Sequence, residues 1–333
     1  MIFNSLGYVC IFPLVVIVYY NLPHRWRKFW LLTVSYYFYS LWGIHHILLL
    51  MFITFETYMF GRFIVSTKKF FYKKLFLWCC IFISVGVLFY FKYLQWIISM
   101  VFSVLDVNVD KFAWVNEIIL PVGISFFVFQ SMGYVIDVYR NEEKVEKDII
   151  YYALYVSFFP QLVAGPIERS GNLLNQFKTN NRFDFDNARD GLFIILYGYF
   201  LKIVVADRIS VIVDTVYGNT EVYSGWYLIV VSILFAIQIY CDFAGYSIIA
   251  IGSAKILGIS LMNNFESPYL ALSVSEFWRR WHISLTSWFK DYVYIPLGGN
   301  RKGRIRGYLN KIVVFILSGL WHGADLSYIA WGG

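Results

Sequence analysis

Five histidines stand among 333 residues, and each is a side chain able to take and return a proton near neutral pH. His24 belongs to the basic run 24–28, and His45 and His46 fall in a predicted turn, so these three read as solvated or interfacial groups. His282 and His322 differ. His282 ends FWRRWH at 277–282, in an amphipathic stretch, and His322 sits in SGLWHG at 318–323, within the last apolar run. An ionisable group at membrane depth is costly and by default marks function. His322 lies sixteen residues beyond Arg306, roughly 24 Å along a helix that rises 1.5 Å per residue, against a hydrocarbon core about 30 Å thick. Proton transfer in catalysis and structural hydrogen bonding are both open readings of that residue. The flanking Gly319 and Gly323 would let a substrate or another backbone come close.

Asp242, in QIYCDFAGY at 238–246, is a carboxylate in an apolar span. It could line a pathway, orient a histidine, or pair with a basic residue for assembly. Glu56 and Asp137 are expected near helix ends, at the interface. The loop LGGNRKGR at 297–304 offers glycine N–H groups and arginines to an anion; it serves equally as a positive cytoplasmic loop. It has no Walker spacing, and the chain has neither a serine nucleophile elbow nor an HExxH zinc pattern. A histidine without an enzyme nucleophile points to direct transfer, in which the base deprotonates an acceptor hydroxyl that attacks a bound thioester.

These residues must be held by elements built for lipid. The chain is 59% hydrophobic and only 15% charged, whereas soluble domains run near 45–50% and about 25%. That charge cannot coat a water-soluble surface, so the chain reads as an integral membrane protein. The four cysteines, Cys10, Cys79, Cys80 and Cys241, lie in apolar runs with no CxxC pair, and are expected as buried thiols rather than a disulfide framework or metal cluster. Lysine and arginine exceed acidic residues to give +7, but the excess is split among loops. This favours cytoplasmic membrane loops over nucleic-acid binding.

Residues 2–22 are long enough to span, and the basic run that follows places that end in the cytoplasm. Residues 29–67 end in Lys68, Lys69, Lys73 and Lys74, which predicts a hairpin turning near 43–46. Residues 75–105 then cross outward, 106–117 form a polar external loop, and 118–139 return. Residues 149–163 are short and break at FPQLVAGP (159–166), which suggests a re-entrant segment, tolerated only inside protein or beside a wet cavity. A polar stretch at 168–190 precedes spans at 191–216 and 226–259. Residues 263–306 carry Trp278, Trp281 and Trp288 among Arg279, Arg280 and Lys290, the composition of a segment at headgroup level. The last run starts near Ile312 and is still apolar at Gly333, which predicts one membrane domain over 1–333, truncated before further C-terminal helices.

The run FWRRWHISLTSWFKDYVYIPLGGNR at 277–301, with LWHG at 320–323, resembles the membrane-bound O-acyltransferase (MBOAT) family, in the branch of the alginate O-acetyltransferase membrane subunit. PVGISFFVFQSMGYVIDVYR (121–140), FPQLVAGP (159–166) and QIYCDFAGYSIIAIG (238–252) resemble the same branch. The resemblance implies an all-α transmembrane bundle with re-entrant and interfacial helices around a central tunnel. It implies that His322 is the catalytic base and His282 the second histidine. Asn300, Arg301, Arg279 and Arg280 would meet the donor, and Trp321, Asp242, Gln238 and Trp278 would line the tunnel. One departure is Ile248 after Ser247, where similar proteins often carry Asp.

The resemblance further implies a multi-pass protein of the cytoplasmic membrane, with no tightly bound cofactor and no metal. It would move acetyl from acetyl-CoA or another thioester across the membrane to an exported, alginate-like polysaccharide. Membrane lipid and a periplasmic or cell-surface acetyltransferase are the partners expected. D-alanyl transfer to teichoic acid, with a carrier-protein donor, is the alternative within the family. The alternative outside it is a proton-coupled transporter, which predicts inverted repeats and paired broken helices; the break near Pro160 has no clear counterpart in the other half.

Overall fold

Lipid offers backbone groups no partner, so a chain this apolar must close its hydrogen bonds within each segment, and helix does so. The computed structural model describes Phe3 and residues 5–105, 118–163 and 165–332, and among these the regular structure is helical, without strands. The external loop expected over 106–117 lies outside the described residues.

The first five helices are α1 (Leu6–Asn21), α2 (His24–Ser40), α3 (Ile44–Ser66), α4 (Phe70–Leu88) and α5 (Leu94–Leu105). α6 (Ile124–Arg140), α7 (Ile149–Ser157), α8 (Phe159–Leu162) and α9 (Ser170–Lys178) follow. Then come α10 (Phe185–Tyr199), α11 (Asp207–Tyr217), α12 (Trp226–Ile256), α13 (Val274–Arg280), α14 (Ile283–Phe289), α15 (Arg304–His322) and α16 (Leu326–Gly332). Widened π turns at Phe89–Tyr93 and Phe200–Ala206 join α4 to α5 and α10 to α11 without a break. A third, Lys290–Tyr294, extends α14.

Among the described residues, three helical stretches are long and apolar enough to cross a membrane: Ile44–Ser66, Phe70–Ser103 and Trp226–Ile256. The chain is a membrane protein. α1 is apolar but has 16 residues, short of the roughly 20 that a perpendicular span needs. Ser5 caps it by accepting from the Tyr8 N–H at 3.3 Å, which starts the helix later than the apolar run does. The expected return over 118–139 likewise begins only at Ile124, after Gly123 in a left-handed conformation. Gly43, at φ 136°, ends the predicted turn earlier, so His45 and His46 fall in the first turn of α3. Glu56 is consequently mid-helix and buried, not interfacial, and accepts from Ser84 Oγ at 3.3 Å. The break expected at FPQLVAGP is present: α7 stops at Ser157, and the Phe159 N–H that opens α8 donates to Ser35 Oγ at 3.1 Å. All four cysteines are free thiols, but Cys10 is exposed on α1, contrary to the expectation of burial.

The chain divides into two compact units. One comprises Met1–Leu41, Ser157–Glu168 and Asn172–Ile283; the other comprises Trp42–Val156, Arg169–Gly171 and Ser284–Gly333. In the first, α10 lies against α12 at backbone contact. A Cβ placed on Gly198 would stand 2.9 Å from the Gly245 carbonyl oxygen, and one on Gly252 would stand 2.7 Å from that of Gly191. Between apolar helices in lipid, such close approach of small residues supplies the packing that a hydrophobic effect supplies in water. In the second, Tyr152 donates to Thr57 Oγ1 at 2.8 Å, and the Trp288 indole donates to the Phe129 carbonyl at 2.9 Å. These bonds tie α7 to α3 and α14 to α6.

The glycine contact makes a direct prediction. Gly198→Val forces α10 and α12 apart, and overpacking of this kind costs about 1–3 kcal/mol. The thermal midpoint in detergent is expected to fall, whereas Gly86→Ala on α4, where an added Cβ meets nothing within 4 Å, leaves it in place. Equal midpoints for the two variants would remove the glycine contact from any account of this fold.

Candidate active site

His282 and His322 belong to different compact units, and each has its own support. His282 follows α13, whose start is fixed by Ser273 accepting from the Glu276 N–H at 3.1 Å. Its backbone sits at φ 44°, a left-handed conformation that costs an L-residue roughly 1–2 kcal/mol. Asn264 stabilises that turn: its carbonyl accepts the Ile283 N–H at 2.9 Å, and its side-chain Oδ1 lies 3.1 Å from His282 Nδ1. The Asn264 amide nitrogen donates to Ser247 Oγ at 3.2 Å. With that NH₂ group turned to Ser247, the oxygen faces the imidazole, so Nδ1 must carry the proton. The lone pair is then on Nε2, the nitrogen left for accepting a proton. His282, Asn264 and Ser247 are all buried, and Phe243 stands edge-on to the imidazole at 4.6 Å.

The group that orients His282 is thus a neutral amide. Asp242 is engaged elsewhere, and of its three open roles the pairing with a basic residue is the one observed: Lys202 Nζ lies 2.6 Å from Asp242 and 2.7 Å from Asp207. Gln238, one turn earlier on α12, is half-buried. Arg280 bonds Glu276 Oε1 at 2.6 Å. The Leu272 N–H, and then Arg280, hold the Glu276 carboxyl below its usual range, so this pair is ionised and the Arg280 charge is met. Arg279 is exposed and Trp278 is half-buried.

In the other unit, His322 is the last residue of α15. Because α15 is unbroken from Arg304, the loop with Asn300 and Arg301 and the imidazole lie at opposite ends of one helix, roughly 27 Å apart at 1.5 Å per residue. Trp321 is buried while His322 is exposed, with the Trp321 and Trp331 rings edge-on at 4.9 and 5.3 Å. The glycines that flank His322 are occupied by protein. A Cβ on Gly323 would meet the Tyr328 ring at 2.1 Å, and one on Gly319 would meet the Tyr328 carbonyl oxygen at the same distance. They admit α16.

The loop at 297–303 is shaped by Asn310, which the sequence did not single out. Its buried amide donates to the carbonyls of Gly299 at 2.8 Å and Leu297 at 3.3 Å. The N–H groups of Gly298 and Gly299 bond the carbonyls of Ile295 and Tyr294 just before the loop, and that of Arg301 bonds the Gly298 carbonyl, so these three are not offered to an anion. The side chains of Asn300, Arg301, Lys302, Arg304 and Arg306 are exposed, beside the positive end of the α15 dipole. Asp137 also departs from its expected interfacial place: it is buried and accepts from the Tyr292 hydroxyl at 2.7 Å.

A helical membrane protein with a histidine at the end of one helix and a second, amide-oriented histidine is the class that these observations define. Residues 31–333 match the membrane-bound O-acyltransferase family, and the chain belongs to it; it is an O-acyltransferase. It is 35% identical to a probable alginate O-acetylase of Pseudomonas putida, over all of this chain and 68% of that protein. It is 37% identical to a probable alginate O-acetylase of Azotobacter vinelandii, over all of this chain and 66% of that one. A peptidoglycan O-acetyltransferase of Helicobacter pylori is 35% identical, over 92% of this chain and 62% of its own length. The chain therefore spans about two thirds of the length of these relatives.

The Asn264 bond is testable. Asn264→Ala removes one hydrogen bond from each of buried His282 and Ser247, and each such bond is worth about 0.5–1.5 kcal/mol. The thermal midpoint is expected to fall, while Asn264→Asp, which still accepts from Nδ1, recovers part of the loss. A midpoint unmoved by Asn264→Ala would show that the amide does not hold the turn.

Proposed function

We propose that this protein moves an acetyl group from a cytoplasmic thioester donor across the membrane for O-acetylation of an exported, alginate-like surface polysaccharide, with His322 as general base. One observation carries the reading. The whole chain aligns with relatives named as alginate O-acetylases, and within it an exposed imidazole ends a helix whose other end bears a basic loop.

The chemistry follows from that polarity. A donor such as acetyl-CoA carries its charge on phosphates. Arg301, Lys302, Arg304 and Arg306, at the α15 N-terminus, supply cations and a helix dipole of matching sign. Arg279 is exposed, whereas Arg280 is taken by Glu276. At the other end, the His322 imidazole takes the proton of an acceptor hydroxyl, whose oxygen adds to the thioester carbonyl. The tetrahedral intermediate collapses as the C–S bond breaks, and the thiolate leaves with the proton from the imidazolium. One ester forms, one thioester is lost, and the base is regenerated.

His282 assists as a second, tautomer-fixed histidine; Trp278, Gln238 and Asp242 in its unit, and Trp321 in the other, are each tunnel-lining residues in this reading. The tunnel runs among crossing helices, with α7 and α8 as a re-entrant segment, in a single multi-pass domain of the cytoplasmic membrane. The acetyl group passes to a periplasmic or cell-surface acetyltransferase or directly to the polymer.

General-base catalysis contributes about 10²–10⁴-fold, so His322→Ala should cut ester-linked acetate on the surface polysaccharide at least 100-fold, at matched membrane abundance and with normal polymer export. Unchanged acetate with lost D-alanyl esters would transfer the same base to teichoic acid D-alanylation. Unchanged esters of both kinds, with lost proton-coupled uptake, would replace acyl transfer by transport.

A further inference from the structure

A helix leaves its last four carbonyls without partners, and at the end of α15 these are the carbonyls of residues 319–322. In lipid or a dry interior each such group is expensive to leave bare. The Gly319 carbonyl accepts the Gly323 N–H at 3.3 Å. The Leu320 carbonyl accepts the Tyr93 hydroxyl at 2.6 Å, and the Trp321 carbonyl accepts Lys92 Nζ. The two side chains that close the helix immediately before His322 are therefore neighbours in sequence, 227 and 229 residues away.

Both come from the π turn Phe89–Tyr93 that joins α4 to α5. On a regular helix consecutive side chains diverge by about 100°. Here two adjacent long side chains converge on consecutive carbonyls, from a turn of the widened kind that is frequent at functional sites. Lys92 is further fixed by Ser125 Oγ at 3.3 Å in the first turn of α6, and its ammonium stands 5.6 Å from the Trp321 ring centre. Phe126 packs edge-on to the same ring at 5.1 Å. Among the described residues no carboxylate pairs with Lys92. A cation without an ion-pair partner, directed at a helix C-terminus, complements the negative end of the dipole.

From this geometry we propose that Lys92 and Tyr93 are positioning residues for acyl transfer, a two-point clamp on the Leu320 and Trp321 carbonyls that sets where α15 presents His322. The proposal rests on His322 being the base. The clamp touches neither donor nor acceptor, so its loss misdirects the imidazole and leaves the binding groups in place. Lys92→Met keeps the apolar stem and deletes the donor; Lys92→Arg keeps a cationic donor; Tyr93→Phe deletes one hydroxyl.

The experiment expresses the full chain with each variant and with His322→Ala. It measures ester-linked acetate on the surface polysaccharide at matched membrane abundance, together with the thermal midpoint. It also follows the rate at which diethyl pyrocarbonate modifies His322, read by mass spectrometry. Displacement of a catalytic group by about 1 Å can cost roughly 100-fold, so Lys92→Met should lower acetate by about 10- to 100-fold, with Lys92→Arg restoring most of it. The rate of His322 modification should change in Lys92→Met and return in Lys92→Arg, and Tyr93→Phe should give a smaller loss without the midpoint falling. If His322→Ala abolishes acetate while Lys92→Met and Tyr93→Phe preserve both acetate and modification rate, the clamp is overturned and the base survives. If His322→Ala preserves acetate, the base reading itself is wrong, whatever Lys92 does. Should Lys92→Met fail to accumulate, acetate and modification rate in Tyr93→Phe decide: wild-type values for both overturn the clamp.

Discussion

A helix that ends within an apolar environment exposes carbonyls and N–H groups that water cannot reach, and those groups must be met by side chains from elsewhere in the chain. Much of the detail in this protein follows from that requirement. The start of α8 is met by Ser35, the glycine loop before α15 by Asn310, the turn at His282 by Asn264, and the end of α15 by Lys92 and Tyr93. The last three lie in or beside residues that carry candidate chemistry.

The two histidines illustrate opposite solutions. His282 is buried, strained and oriented by a neutral amide, which fixes its tautomer without placing a charge beside it. His322 is exposed at a helix terminus between two tryptophan rings, and the charge nearby belongs to a lysine that bonds the backbone. The expectation of Asp242 orienting a histidine gives way to Asn264, whose Oδ1 faces His282 Nδ1. Asp242 instead pairs with Lys202, which, like Lys92, sits in a π turn. Among the described residues, the π turns at Phe89–Tyr93 and Phe200–Ala206 thus each carry a lysine whose ammonium bonds a group on another helix.

The basic loop and the imidazole at opposite ends of α15 give that helix a chemical direction. One end is suited to an anionic donor through exposed Arg301, Lys302, Arg304 and Arg306, and the other to a neutral hydroxyl. Gly298 and Gly299, whose N–H groups bond the carbonyls of Ile295 and Tyr294 just before the loop, hold the turn and are not themselves available to an anion.

Composition alone settled that this chain lives in a membrane, because 15% charged residues cannot cover a soluble surface. Hydropathy and glycine placed most helices, and the two unusual histidines stood out by type and surroundings. Family resemblance was legible in long motifs such as 277–301, since local sequence encodes them directly. The tertiary structure decided which polar groups meet. That Asn264 rather than Asp242 faces His282, that Asn310 shapes the loop, that Glu56 is buried mid-helix, and that Tyr328 fills the space beside Gly323 are contacts between side chains distant in sequence or at registers set by where a helix starts. No local pattern carries such pairings, because a hydrogen bond depends on where two atoms are brought and not on how far apart they stand along the chain.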